Sequence, residues 1–233
     1  PQITGWSLLA MVPRRSAAMI PITWYPCSLG SPLPNVPNIG VSGYPSIPRF
    51  PGADVFRAFE QKLGKLAFVA EDLGDVDASV FALRDQFGLP GMKVLQFAFG
   101  DNMTTSDYIP HNYTPNFVVY TGTHDNNTTV GWWLKDTRQD VRANLKQYVD
   151  EPGISQNTIH QVLGKMAYAS VAKTVIIPLQ DVLGLDESAR MNTPATVKQN
   201  WLWRLKANQL LPGSKNQLLK WARLYNRIAG DRG

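Results

Sequence analysis

Two acidic segments in this sequence each follow a short apolar run. Phe68-Val69-Ala70 leads into Glu71-Asp72-Leu73-Gly74, and Val118-Val119-Tyr120 leads into Thr121-Gly122-Thr123-His124-Asp125-Asn126. Side chains just beyond the carboxyl ends of strands in parallel α/β sheets and barrels face the ligand crevice, so two strands here are expected to deliver acids to one face. Paired carboxylates are what glycosidic bond chemistry asks for: one protonates the leaving oxygen, and another attacks or stabilises an oxocarbenium-like carbon. Spacing alone leaves plainer roles open. Glu71 or Asp72 would also serve as the cap of a following helix or turn, and His124-Asp125 would also serve as a surface turn. Metal binding by that pair is disfavoured, because no further His lies at a ligand spacing.

The elements that must position these acids alternate along the chain. Asp54 to Leu63 has apolar residues at helical spacing, an acid at its start and Gly64 at its end. Leu66 to Ala70 is a short apolar run of the kind buried strands use. A helix is read over Ala78 to Phe87, stopped by Gly88-Leu89-Pro90-Gly91, and a strand over Lys93 to Phe99. A long polar stretch leads to a strand at Phe117 to Tyr120. Helices follow at Arg138 to Tyr148 and Gln156 to Lys173, and then a short strand at Val175 to Leu179. Repeated alternation of this kind is the signature of a parallel α/β architecture. Tyr113, Tyr120 and Trp132 read mainly as buried packing, and Trp201 and Trp203 as core.

Composition divides the chain near residue 50. Residues 1–50 hold more than half of the 17 prolines and no Asp, Glu or Lys, a composition that predicts an irregular leader. Residues 51–233 carry the alternating elements. Net charge is +5, but the positive residues are scattered rather than clustered with aromatics, so a nucleic-acid-binding reading ranks last. The single cysteine, Cys27, excludes an internal disulfide and fits a reducing compartment. No run of about 20 apolar residues exists to span a bilayer.

Several blocks taken in order carry a resemblance: Ala70 to Gly74, Phe87 to Phe99, Pro110-His111-Asn112-Tyr113, Tyr120 to Asn126, Pro178 to Gly184, Ala189 to Asn192 and Asn200 to Leu205. Over roughly residues 51–210 the sequence resembles the glycoside hydrolase family of amylomaltases and plant disproportionating enzymes, the 4-alpha-glucanotransferases. That resemblance implies an α/β fold in which this chain forms part of an eight-stranded β/α (TIM) barrel, its carboxyl-terminal strands and helices. It implies Glu71 as general acid/base and Asp125 as the aspartate that stabilises the transition state. His124 is implied as the neighbouring sugar-binding histidine, with Asn126 and Asn192 as further substrate contacts. The implied substrates are α-1,4-glucans and maltooligosaccharides, with no cofactor, no metal, no nucleic acid and no membrane, in a cytoplasmic setting.

The family's nucleophile is an aspartate in an Arg-x-Asp context well before the Glu71 block, and no acidic residue precedes Asp54. The expectation is therefore a truncated or frameshifted form, inactive alone, whose alternative role is noncatalytic α-glucan binding. Asn127 and Ala195 depart from the family pattern, which commonly has an acid and a glycine there.

Overall fold

The computed structural model of the chain describes residues 52–65, 67–74 and 76–228, together with the backbone of two short strands nearer the start. Those strands are β1 (Ser7–Met11) and β2 (Ile20–Thr23). They fall within the stretch for which composition suggested coil. Each is a short run between prolines, and β2 carries Pro21 inside it. The rest of the leader, Cys27 included, lies outside the described residues.

Two compact units divide the chain, Pro1–Gly91 and Met92–Gly233. In the first, α1 (Gly52–Leu63) precedes β3 (Ala67–Ala70), and α2 (Ala78–Gln86) follows it. The sheet order is β2-β1-β3, with β1 antiparallel to both neighbours. The described pairing of β3 is thus antiparallel, although its apolar run fits a parallel sheet equally well. Phe68, Ala70 and Leu89 form a small core against which Phe56, Phe59 and Phe87 pack. Phe56 meets Phe68 edge-on, with ring centroids 5.9 Å apart, the arrangement that ring quadrupoles favour.

The second unit holds the larger core. Its sheet has the order β4 (Gly91–Val94), β5 (Phe117–Tyr120), β6 (Thr174–Ile176). Strands β5 and β6 are parallel, with Val119 opposite Val175. The strand expected over Lys93 to Phe99 ends at Val94 and continues as a 3₁₀ turn over Leu95–Phe97. Leu95, Gln96, Ala98 and Phe99 are all buried while Phe97 is exposed. A strand alternates its faces at every residue and cannot bury that set on one side, whereas a tight turn can.

A short helix α3 (Thr129–Gly131) runs into a π-helical turn over Trp132–Asp136. Beyond it lie α4 (Gln139–Val149), α5 (Ile159–Ala169), β6, α6 (Leu179–Val182) and α7 (Pro212–Leu224). The strand expected over Val175 to Leu179 ends at Ile176, and Pro178 instead caps α6, since its fixed φ of −53° suits entry to a helix. Leu95, Phe99, Ile109, Val119, Leu145 and Leu163 centre the core. No helix among the described residues is long and apolar enough to cross a membrane.

Candidate functional site

Strand β5 is built from β-branched and aromatic residues, three of them buried, and it ends at Thr121-Gly122. A Cβ on Gly122 would stand 2.6 Å from Gln96 Nε2, so any other residue there would displace the buried glutamine amide. The turn itself is closed by Asn126, whose Oδ1 accepts hydrogen bonds from the Thr123 N–H and hydroxyl, both at 2.8 Å. The structure thus gives Asn126, expected as a substrate contact, a role in shaping the loop that presents His124 and Asp125.

A second loop, after β6 and α6, clasps this one. Because β5 and β6 are parallel, the segments after each leave from the same edge. Asn192 Nδ2 donates to Asp125 Oδ1 at 2.6 Å, and the Asn192 N–H donates to the His124 carbonyl at 3.1 Å. Arg190 ties the loops together, its guanidinium donating to the Asp125 carbonyl at 2.7 Å and to the Asn192 carbonyl at 2.8 Å. His124 Nε2 lies 3.3 Å from Asp125 Oδ1, and both side chains are about half exposed. Asp125, His124 and Asn192 therefore form one cluster open to solvent. Its carboxylate is oriented by a charge-neutral amide, a geometry suited to a ligand rather than to burial.

Trp201 corrects the sequence reading. Its side chain is 52% exposed rather than core, and its ring lies 5.1 Å from the His124 ring. The backbone explains why: Trp201 has φ of 62° and donates its N–H to the Met191 carbonyl at 2.7 Å, which turns the side chain outward beside His124. Trp203, also expected in the core, is only partly buried. Tyr113, Tyr120 and Trp132 are buried, as expected. In the same irregular segment Ala195 has φ of 61°, a conformation that favours glycine. Asn127 is buried, and its carbonyl accepts from Gln96 Nε2 at 3.0 Å.

Glu71 belongs to the first unit, directly after β3 and half-buried. The capping role open to Glu71 and Asp72 at α2 falls instead to Asp77, which accepts from the Ser79 N–H at 2.7 Å. Asp72 is buried and pairs with Arg84 at 2.5 Å, a structural ion pair between the β3 loop and α2. Arg190 and Trp201 were not assigned to the site from sequence. Arg190 carried one signal, its position two residues before Asn192.

No group of three or more His, Cys, Asp or Glu among the described residues could hold a metal ion. A groove of about 760 Å³ in the second unit is lined by Val130, Asn157, His160, Trp203 and Gln209, and not by His124, Asp125 or Asn192.

Residues 45–210 match the family model described as 4-alpha-glucanotransferase. A 4-alpha-glucanotransferase of Thermus thermophilus is 42% identical over 183 residues, 76% of this chain and 36% of that protein. The chloroplastic/amyloplastic 4-alpha-glucanotransferase of Solanum tuberosum is 46% identical over 159 residues, 68% of this chain and 27% of that protein. Among solved structures, the amylomaltase from Streptococcus agalactiae in complex with acarbose superposes with a TM-score of 0.70 at 37% identity. That match covers 76% of this chain and 35% of the other. The chain spans about a third of the length of the relatives it matches.

Proposed function

This chain belongs to the 4-alpha-glucanotransferase family, and from that membership we propose that its residues build the sugar-recognising and proton-handling part of an α-glucan transfer site. Glu71 is the general acid/base. Asp125 stabilises positive charge developing at the sugar ring, while His124 and Asn192 hold sugar hydroxyls and Asn126 shapes the loop and adds a contact. The observation that carries this reading is the clasp itself, a half-exposed carboxylate held by Asn192 and flanked by His124 where the parallel strands end. The exposed ring of Trp201 beside His124 adds an apolar face of the kind on which a pyranose stacks.

In the two-step reaction a nucleophilic carboxylate attacks the anomeric carbon while Glu71 protonates the departing glycosidic oxygen. The 4-hydroxyl of a second glucan, deprotonated by Glu71, then displaces that carboxylate and restores the α configuration. Within this reading residues 51–233 supply carboxyl-terminal strands and helices of an eight-stranded β/α barrel. The third carboxylate is the constraint. No Asp or Glu precedes Asp54, where the family resemblance puts the nucleophile, so the chain alone binds maltooligosaccharides without turning them over. The cytoplasmic setting expected from the sequence is kept in this reading on the single cysteine, Cys27, which fits a reducing compartment.

Calorimetry with acarbose on the wild-type chain, Asp125→Asn and Asn192→Ala tests it. Losing a hydrogen bond to a charged group costs about 1.5 kcal/mol or more, so each variant is expected to bind at least about tenfold more weakly. Maltotriose incubated with the wild-type chain is expected to yield neither glucose nor longer maltodextrins. Equal acarbose affinity in all three proteins would remove the clasp from the sugar site, and robust disproportionation would show that a nucleophile is supplied some other way.

A further inference from the structure

We infer that Asp181 is a positioning residue for the transfer site: its buried carboxylate brackets both ends of the loop that presents His124 and Asp125. The inference rests on the glucan-transfer reading above. The geometry is specific. Asp181 sits in α6, just after β6, and is 2% exposed. One carboxylate oxygen, Oδ2, accepts from the Thr121 hydroxyl at 2.5 Å, at the point where β5 ends. The other, Oδ1, accepts from the Thr129 N–H at 2.7 Å, where the chain re-enters helix as α3. Thr121 and Thr129 are themselves fully buried. One side chain thus fixes the start and the finish of the loop, and the exposed residues between them, His124 and Asp125, are what the bracket leaves free to meet a ligand.

Stability alone is a poor explanation for a carboxylate in this place. Desolvation disfavours its charge and pushes its proton affinity up, with the Thr121 and Thr129 hydrogen bonds acting the other way. Buried ionisable groups are often replaceable by well-packed apolar ones at no cost in stability. What an apolar residue could not do is accept two hydrogen bonds from donors on separate segments. A site that has to hold its groups within fractions of an ångström gains from such a tie, because small misplacements of reacting groups cost large factors in rate. The Arg190 and Asn192 contacts hold the same loop from its solvent side. Asp181 holds it from beneath.

Three histidines make the bracket directly readable by NMR of their ring protons. His124 lies over Trp201, His111 lies beside Tyr148 with ring centroids 5.7 Å apart, and His160 packs against Gly184 just past α6. In Asp181→Ala and in Thr121→Val, the His124 resonance is expected to leave its wild-type position as the ring moves off Trp201, with His111 unchanged. In Thr121→Val, which leaves α6 intact, His160 is expected to stay as well. Asp181→Asn is expected to restore His124, since the amide oxygen accepts from Thr129 and the amide N–H can donate to the Thr121 hydroxyl. Should Asp181→Ala fail to fold, Thr121→Val decides the question from the other end of the bracket. An unmoved His124 in Thr121→Val, or an Asp181→Asn spectrum no closer to wild type than that of a folded Asp181→Ala, overturns the inference. Acarbose added to the wild-type chain separates this from the reading beneath it. A His124 resonance that ignores acarbose sinks the glucan site and with it the bracket's functional meaning, whereas a His124 that responds to acarbose but not to the substitutions sinks the bracket alone.

Discussion

A carboxylate whose two oxygens both accept hydrogen bonds inside a protein carries a pH signature whose sign follows from its surroundings. Burial raises the proton affinity of Asp181 above the ordinary carboxylate value of 3.8, the Thr121 and Thr129 hydrogen bonds opposing that rise only in part. A group that binds its proton more tightly folded than unfolded contributes most below its unfolded value. That contribution is lost as pH climbs through the higher folded value. The wild-type chain is therefore expected to lose stability, relative to Asp181→Asn, as pH is raised from about 4 toward neutrality. Urea midpoints of the two proteins across that range check it, and a difference that stays flat or shrinks with rising pH refutes the assignment. The other residues of the site differ in how far their types announced them. Asp125 drew notice in the sequence because it lies in the loop that follows an apolar strand run, where a plain surface turn was equally open to it. Its tie to Asn192 did not, because that bond exists only once two loops 67 positions apart leave the same sheet edge. Trp201 misled for a physical reason, since an indole reads as core until backbone geometry turns it outward.

At the scale of elements, residue type and spacing predicted α1, α2, α4 and α5 to within about four residues, whereas α7 and the short α3 and α6 were not read from the sequence. The Lys93 to Phe99 segment failed this logic. Seven residues rich in apolar types look like a strand, but burial of neighbours in sequence demands a turn after Val94. Helix α5 illustrates a choice that composition hides. Gly164 stands in its middle, where alanine would favour the helix by about 1 kcal/mol. A Cβ there would stand 2.8 and 2.9 Å from the Trp221 ring of α7 and 3.6 Å from Ile177. Trp221 is 7% exposed, so its rigid ring has little room to retreat. Overpacking of this kind costs about 1–3 kcal/mol and outweighs the propensity. Gly164→Ala is expected to lower stability by about 1 kcal/mol, read as a reduced urea midpoint at unchanged slope. A midpoint that rises would mean that α7 moves aside and that its contact with α5 is loose.

For the molecule as a whole, the match to the family runs across both units, yet the two are not built with equal means. The second unit gathers 16 buried residues in one cluster, among them Ile159, Leu163 and Met166 of α5. Each large apolar side chain buried there contributes roughly 1.5–3 kcal/mol. Among the described residues of the first unit, the buried cluster is Phe68, Ala70 and Leu89, with three more phenylalanines partly covered. Helix α2 buries none of its own side chains, and α1 buries only Gly52. Backbone hydrogen bonds open most easily where few apolar contacts must break with them. Hydrogen exchange followed by mass spectrometry is therefore expected to show peptides from β5 and α5 protected longest and those from α1 and α2 exchanging early. The loop from Thr121 to Thr129 should exchange late at its bracketed ends and early at His124 and Asp125. Protection of α1 and α2 equal to that of α5 would contradict this hierarchy, because it would require buried apolar surface on those helices beyond the side chains that are buried on them here.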